Sequence, residues 1–287
     1  MAPTTAPRSS TPTSTSASAT ASGVRGQPPA LGQRIVGRER VVAYYGAPGS
    51  GKLGVLGKTS PEQAAQSIIH RAAGFEHYGE PVLPAMELIA TVARSGPGPG
   101  DTYSAPIPMA QVREYLDVAH EHHMLLILDL QPGRASFVAQ AKALAPVLVD
   151  PSVGLALDPE WKVGPGGRPG NGLIGHSTAA GINAATSWLS GLVSARHLPD
   201  KLVVVHEFTA SMLPDRQHIT QHPGIEMVLH ADGFGHPSTK VHVLQKLHFP
   251  SPPFGVGFKL FLTQDSRLMS PGEVMRLHPR PDVITYQ

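Results

Sequence analysis

The feature that most restricts what this chain can fold into is an alternation that starts near residue 36 and continues to the end. Eight short apolar runs have the look of strands: Val41 to Tyr45, Val82 to Ile89, Met124 to Leu128, Val153 to Leu157, Leu202 to Val205, Ile225 to His230, Phe254 to Leu262 and Asp282 to Tyr286. Most are apolar on both faces, as parallel strands buried under helices are. Helix-like segments lie between them. Ser60-Pro61-Glu62-Gln63 combines an N-cap serine, proline in the first turn and a capping-box glutamine. The segments 108–123 and 178–197 are amphipathic, and 134–148 is rich in alanine and leucine. Strands alternating with helices eight times predict a (β/α)8 TIM-type barrel, with a doubly wound open sheet as the alternative. The crossovers near Asp215 and Ser270 are short, no helix follows the last strand, and residues 31–40 are placed to plug the barrel bottom.

Ahead of the alternation, residues 2 to about 30 are almost entirely Ala, Pro, Thr, Ser and Gly. Such a segment has too little apolar surface to offset its ordering entropy. The expected organisation is a disordered tail over 1–33 and one barrel domain over 34–287. A Ser/Thr/Pro tract of this kind commonly tethers a secreted domain, so a secreted or surface-tethered protein is expected. The net charge of +2, with no sustained Lys/Arg run, gives no nucleic-acid footprint. No cysteine is present, so disulfides and thiolate chemistry are excluded. No run reaches the ~20 apolar residues needed to span a bilayer. No cofactor is indicated, and a monomer is expected.

Function in such a barrel sits at the C-terminal ends of the strands, and polar residues gather there. The strand ends carry Tyr44 and Tyr45, Glu87, Asp129 and Gln131, Asp158 and Glu160 with Trp161, His206 and Glu207, Asp232 and Phe234, Lys259 with Asp265 beyond it, and Tyr286. The strongest stretch is Val153 to Trp161, a buried strand ending in two carboxylates around Pro159. While the backbone stays extended, Asp158 and Glu160 point the same way. Buried carboxyls need partners or they titrate. Acids interleaved with flat aromatic rings suit a sugar-cleaving cleft, where carboxyls handle protons and rings stack on sugar faces.

Three other motifs carry less. Gly46-Ala47-Pro48-Gly49-Ser50-Gly51-Lys52 has most of a phosphate-binding loop, but Leu53 stands where the magnesium-binding Ser or Thr belongs. His206, Glu207, His230, Asp232 and His236 are possible metal ligands without a tight signature, so no metal site is assigned. The glycine-rich stretch 164–170 is either a lid or a surface excursion.

An Asp-x-Glu pair closing the fourth barrel strand resembles barrel glycoside hydrolases, especially the family twenty-five lysozymes and the chitinase-type family eighteen enzymes. The resemblance covers that motif and the strand pattern. The Asp-rich run that precedes the pair in the chitinase type is replaced here by Gly154 to Leu157, and Tyr44-Tyr45 stands where the lysozymes carry an early aspartate. What the resemblance implies is a glycan substrate, Glu160 as general acid and Asp158 as its partner. Asp232 or Glu207 would be the opposing base or nucleophile. Tyr44, Tyr45, Asp129, Gln131, Trp161, His206, Phe234, Lys259, Asp265 and Tyr286 would line the substrate site. A metal-dependent hydrolase or a non-catalytic carbohydrate-binding barrel remain the alternatives.

Overall fold

The computed structural model describes residues 33–49, 51–170, 172–248 and 254–287, with Met1, Pro28 and Ala30. The expected disordered tail lies almost wholly outside the described residues. Among the described residues nine strands form: β1 Arg40–Gly46, β2 Val82–Ala93, β3 Ser104–Pro106, β4 Leu125–Leu130, β5 Val153–Leu157, β6 Lys201–Glu207, β7 Ile225–Ala231, β8 Gly255–Leu260 and β9 Val283–Tyr286. All but β3 are parallel, in the order β1-β9-β8-β7-β6-β5-β4-β2. β1 pairs in turn with β2, which closes the ring. This is the eight-stranded barrel the alternation predicts, and closure excludes the open sheet. β3 is an addition. It pairs antiparallel with the end of β2, which runs four residues past its expected stop at Ile89.

The helices are α1 Pro61–Ala72, α2 Met109–Glu121, α3 Phe137–Ala143, α4 Ala145–Leu148, α5 Ala179–Arg196, α6 Pro237–Leu247 and α7 Pro271–Val274. The capping box of α1 forms as expected, Gln63 N–H donating to Ser60 Oγ and Ser60 N–H to Gln63 Oε1, both at 3.3 Å. The predicted helix over 134–148 instead begins after the N-cap Ser136 and splits at Leu144, because Pro146 cannot continue the ladder of α3. The crossover near Asp215 is reduced to two 3-10 turns, Ala210–Met212 and Arg216–His218. The phosphate-loop-like segment leads into two further 3-10 turns, Gly51–Leu53 and Val55–Lys58, with no helix N-terminus to receive a phosphate.

Successive residues of each strand face alternately the barrel axis and the helices. Val42, Leu126, Leu155, Val203 and Ile284 pack outward beneath the helices. Val41, Ala43, Ala85, Ile127, Ala156, Val204 and Val283 fill the lower interior. Ile35 joins that inner cluster and closes the bottom, with 2% of its surface exposed. The inward carboxylate of Glu226 holds it there, accepting the backbone N–H groups of Ile35 and Val36 at 2.8 Å each. Burying one isoleucine side chain contributes about 1.5–3 kcal/mol. The expected plug thus exists, and the open end of the barrel is the opposite one.

Candidate active site

Above the apolar layers the inward positions turn polar. A lower tier is fully buried and built on Glu87 of β2. His206 Nε2 of β6 lies 2.7 Å from Glu87 Oε1, and Thr285 of β9 donates its hydroxyl to Glu87 Oε2 at 3.0 Å. That leaves the Thr285 oxygen to accept from His230 Nε2 of β7 at 3.1 Å. The two imidazoles sit with ring centroids 4.9 Å apart. Gly257 of β8 makes room for them, since a Cβ there would run into the His230 ring. On the other side Tyr45 of β1 donates to Asp129 Oδ2 at 3.0 Å and accepts from Gln131 Nε2 at 3.2 Å.

The upper tier borders a cavity of about 560 Å³ at the barrel mouth. Lys259 of β8 places its ammonium 3.0 Å from Asp232 Oδ2 and 3.8 Å from the centre of the Tyr45 ring. His206 Nδ1 lies 3.3 Å from the same Asp232 oxygen, close enough for attraction but poorly aligned for a hydrogen bond. Asp158 and Glu160 both border the cavity, by a route other than simple extension. A 3-10 turn, Pro159–Trp161, follows β5, and Asp158 Oδ1 caps it by accepting Glu160 N–H at 3.2 Å. Trp161, Phe208, Phe234 and Phe261 supply aromatic walls, with Phe234 and Phe261 edge to face at 5.8 Å.

This arrangement separates the carboxyls into two kinds. Burial, reinforced by the neighbouring charges of Asp158 and Asp232, pushes Glu160 up to about 7. Burial and Asp129 push Asp158 up to about 8. Asp129 rises to about 7 through burial, with Glu87 adding to it. Asp232 goes the other way: against the cost of burial, Lys259 and then His206 hold it well below the usual carboxylate range. Glu87 is likewise held low against burial, by His206. His206 itself is raised against burial by Glu87, while burial and His206 drive His230 down to about 3. At neutral pH the mouth therefore holds a protonated Asp158 and a partly protonated Glu160 facing ionised Asp232.

Several residues expected at the mouth lie elsewhere, for one reason. Tyr44, Glu207 and Tyr286 are chain neighbours of inward-facing Tyr45, His206 and Thr285, so strand alternation turns them outward. Glu207 is buried among the outer elements, 2.9 Å from Arg216 Nη2, and burial raises it to about 7. Tyr44 and Tyr286 pack edge to face at 6.4 Å beside Arg71, whose Nε donates to Tyr44 Oη at 3.0 Å. Asp265 is a loop clasp. It accepts N–H from Gly235 and Phe261 and pairs with Lys240 at 3.1 Å. His236 caps α6, its Nδ1 accepting Ser238 N–H at 3.3 Å. Glycine-rich 164–170 adds no residue to the cavity wall, and Arg134 Nε anchors it by donating to Gly167 O at 3.0 Å. Asp129 and His206 lie beneath the mouth as supports. Tyr45, Gln131, Asp158, Glu160, Trp161, Asp232, Phe234 and Lys259 border the cavity. Gln287, two residues beyond Thr285, joins the wall, and so does Phe261, two beyond Lys259, which was unforeseen; the period of two was the signal that could have found it.

No protein-family model and no curated protein matches the sequence. Among solved structures the chain is similar to an oxaloacetate acetylhydrolase in complex with the inhibitor 3,3-difluorooxalacetate. Identity there is 12%, the match covers 89% of this chain and 76% of that one, and the TM-score is 0.49. It is also similar to the GH18 chitinase ChiB from the chitin utilization locus of Flavobacterium johnsoniae. That match has 9% identity, 87% coverage of each chain and a TM-score of 0.42. Among the described residues, no helix is long and apolar enough to cross a membrane.

Proposed function

We propose that the protein cleaves a glycan by carboxyl acid–base chemistry, with Glu160 as general acid and Asp232 as the opposing carboxylate. One observation carries this reading. The same aromatic-walled cavity joins a carboxyl kept protonated near neutrality, Glu160, to one kept ionised, Asp232. Environments that push two acids apart in this way assign the acid and the base. Glu160 gives its proton to the glycosidic oxygen as the bond to the sugar breaks, and Asp232 stabilises the positive centre, attacks it, or activates water. Lys259 and His206 keep Asp232 charged for that role. Asp158, buried at the foot of the Glu160 turn, accepts the Glu160 N–H and so fixes the turn that carries the Glu160 carboxyl. Trp161, Phe208 and Phe234 offer faces for sugar rings, and Gln131, Gln264 and Gln287 offer amides to hydroxyls. The Ser/Thr/Pro-rich N-terminal segment favours action outside the cell, on a wall or extracellular polymer.

The test is release of new reducing ends from a panel of bacterial cell-wall and storage glycans. Wild type should release them. Glu160→Gln should lose about 10²–10⁴-fold in rate, the usual contribution of a general acid, while keeping its thermal midpoint. Equal release by both proteins would remove Glu160 from the mechanism.

A further inference from the structure

We propose that His206, His230 and Asp232 form a binding site for a divalent transition-metal ion of the zinc or cobalt type. Three buried polar atoms where the two tiers meet have no hydrogen-bond partner: His206 Nδ1, His230 Nδ1 and Asp232 Oδ1. They belong to the three residues whose ligand atoms lie within 4.8 Å of one another. Leaving buried polar atoms unpaired is costly, so a cluster of them at one point calls for a missing partner.

The hydrogen bonds around the cluster fix what that partner is. Glu87 accepts at His206 Nε2 and receives the Thr285 proton, and Thr285 in turn accepts at His230 Nε2. Both imidazoles are thereby held by a carboxylate-based support through Nε2, which leaves Nδ1 of each without a hydrogen bond, and His206 Nδ1 lies 3.3 Å from Asp232 Oδ2. Metal-ligating histidines are oriented this way, one nitrogen on the ion and the other tied to a carboxylate or its relay. Two imidazoles and a carboxylate suit zinc, cobalt or nickel better than magnesium or calcium, which prefer oxygen alone. Lys259 occupies Asp232 Oδ2 and leaves Oδ1 free. Its positive charge is opposed locally by the ionised carboxylates of Glu87 and Asp232. Three protein ligands leave a coordination position open, and Asp232 is the one that borders the cavity.

This proposal does not rest on the glycan reading. The two share Asp232 and His206, so a metal bound there displaces the His206 proton, occupies the carboxylate and lowers glycan cleavage.

The experiment uses the full chain, stripped with chelator and titrated with Co²⁺ followed by visible absorption, then displaced with Zn²⁺. The expected result is one equivalent bound with d–d bands of a nitrogen-containing site. His230→Gln should abolish it, and Glu87→Gln, which keeps all three ligands, should weaken it about 10–100-fold. A His120→Ala/His122→Ala/His123→Ala variant, which removes the histidine cluster at the end of α2, should bind as wild type does. No stoichiometric binding, or loss of binding in that surface variant alone, would overturn the proposal. Should His230→Gln fail to fold, X-ray absorption of the zinc-loaded wild type decides the matter. Two imidazole ligands are expected, and an all-oxygen shell would refute the site.

Discussion

Replacing Asp158 with asparagine should stabilise the protein at pH 8 far more than at pH 5. Asp158 is 2% exposed, and its carboxylate accepts one hydrogen bond, from Glu160 N–H. Burial and Asp129 push it up to about 8, against an ordinary value near 3.9. Between those values the folded chain binds a proton that the unfolded chain does not. Stability therefore falls as pH rises through the window, by up to about 1.4 kcal/mol per pH unit, and levels off above about 8. For an isolated Asp158 the loss at pH 8 would reach about 5 kcal/mol. Water entering the mouth and rearrangement of its neighbours reduce this, leaving roughly 2–3 kcal/mol for the variant to recover. The asparagine amide keeps an oxygen to accept Glu160 N–H, so no backbone donor is orphaned. Urea unfolding of both proteins at pH 5 and pH 8 measures the effect. An advantage for the variant that does not grow with pH would refute the claim that Asp158 is a protonated carboxyl in the folded state.

Two further predictions concern stability, and both read out in thermal or urea unfolding. Gly257→Ala drives a Cβ into the His230 ring; an overpacked core costs about 1–3 kcal/mol, a fall of roughly 5 °C in Tm for a domain of this size, and an unchanged Tm would mean the imidazole tier is loosely held. His248 is 4% exposed, with Nε2 3.1 Å from Leu229 O, and burial lowers it to about 4. Because the folded value is depressed, its neutral form contributes stability above pH ~6.5 that is lost as pH falls toward 4, at most about 3 kcal/mol. His248→Gln keeps a donor toward Leu229 and should flatten that acid limb; an unaltered pH profile would contradict the assignment.

The barrel was legible because parallel strands buried on both faces leave unmistakable apolar runs, with capped helices such as Ser60–Ala72 between them. The same property hid part of the site. A strand that is apolar on both faces carries little phase, so the large apolar residues of Val153 to Leu157 and Leu202 to Val205 do not say which end residue faces the axis. Pairs such as Tyr44/Tyr45 and His206/Glu207 therefore looked equivalent, and alternation sends one of each outward. A phase signal did exist in small residues at crowded inner positions, Ala43, Ala85, Ala156 and Gly257. Counting forward by two from these reaches Tyr45, Glu87, Asp158 and Lys259. The support of both imidazoles by Glu87 and Thr285 joins residues 198 positions apart, and only the closed ring brings them together.

The account depends most on Glu160 being a protonated acid at neutral pH, and the direct measurement is ¹³C NMR titration of glutamate-carboxyl-labelled protein, wild type against Glu160→Gln. The account predicts two carboxyl resonances titrating near pH 7 in wild type, from Glu160 and Glu207, and only one of them in the variant. If the resonance lost in the variant titrates near the ordinary glutamate value of about 4.3, Glu160 is ionised at neutral pH and holds no proton to give.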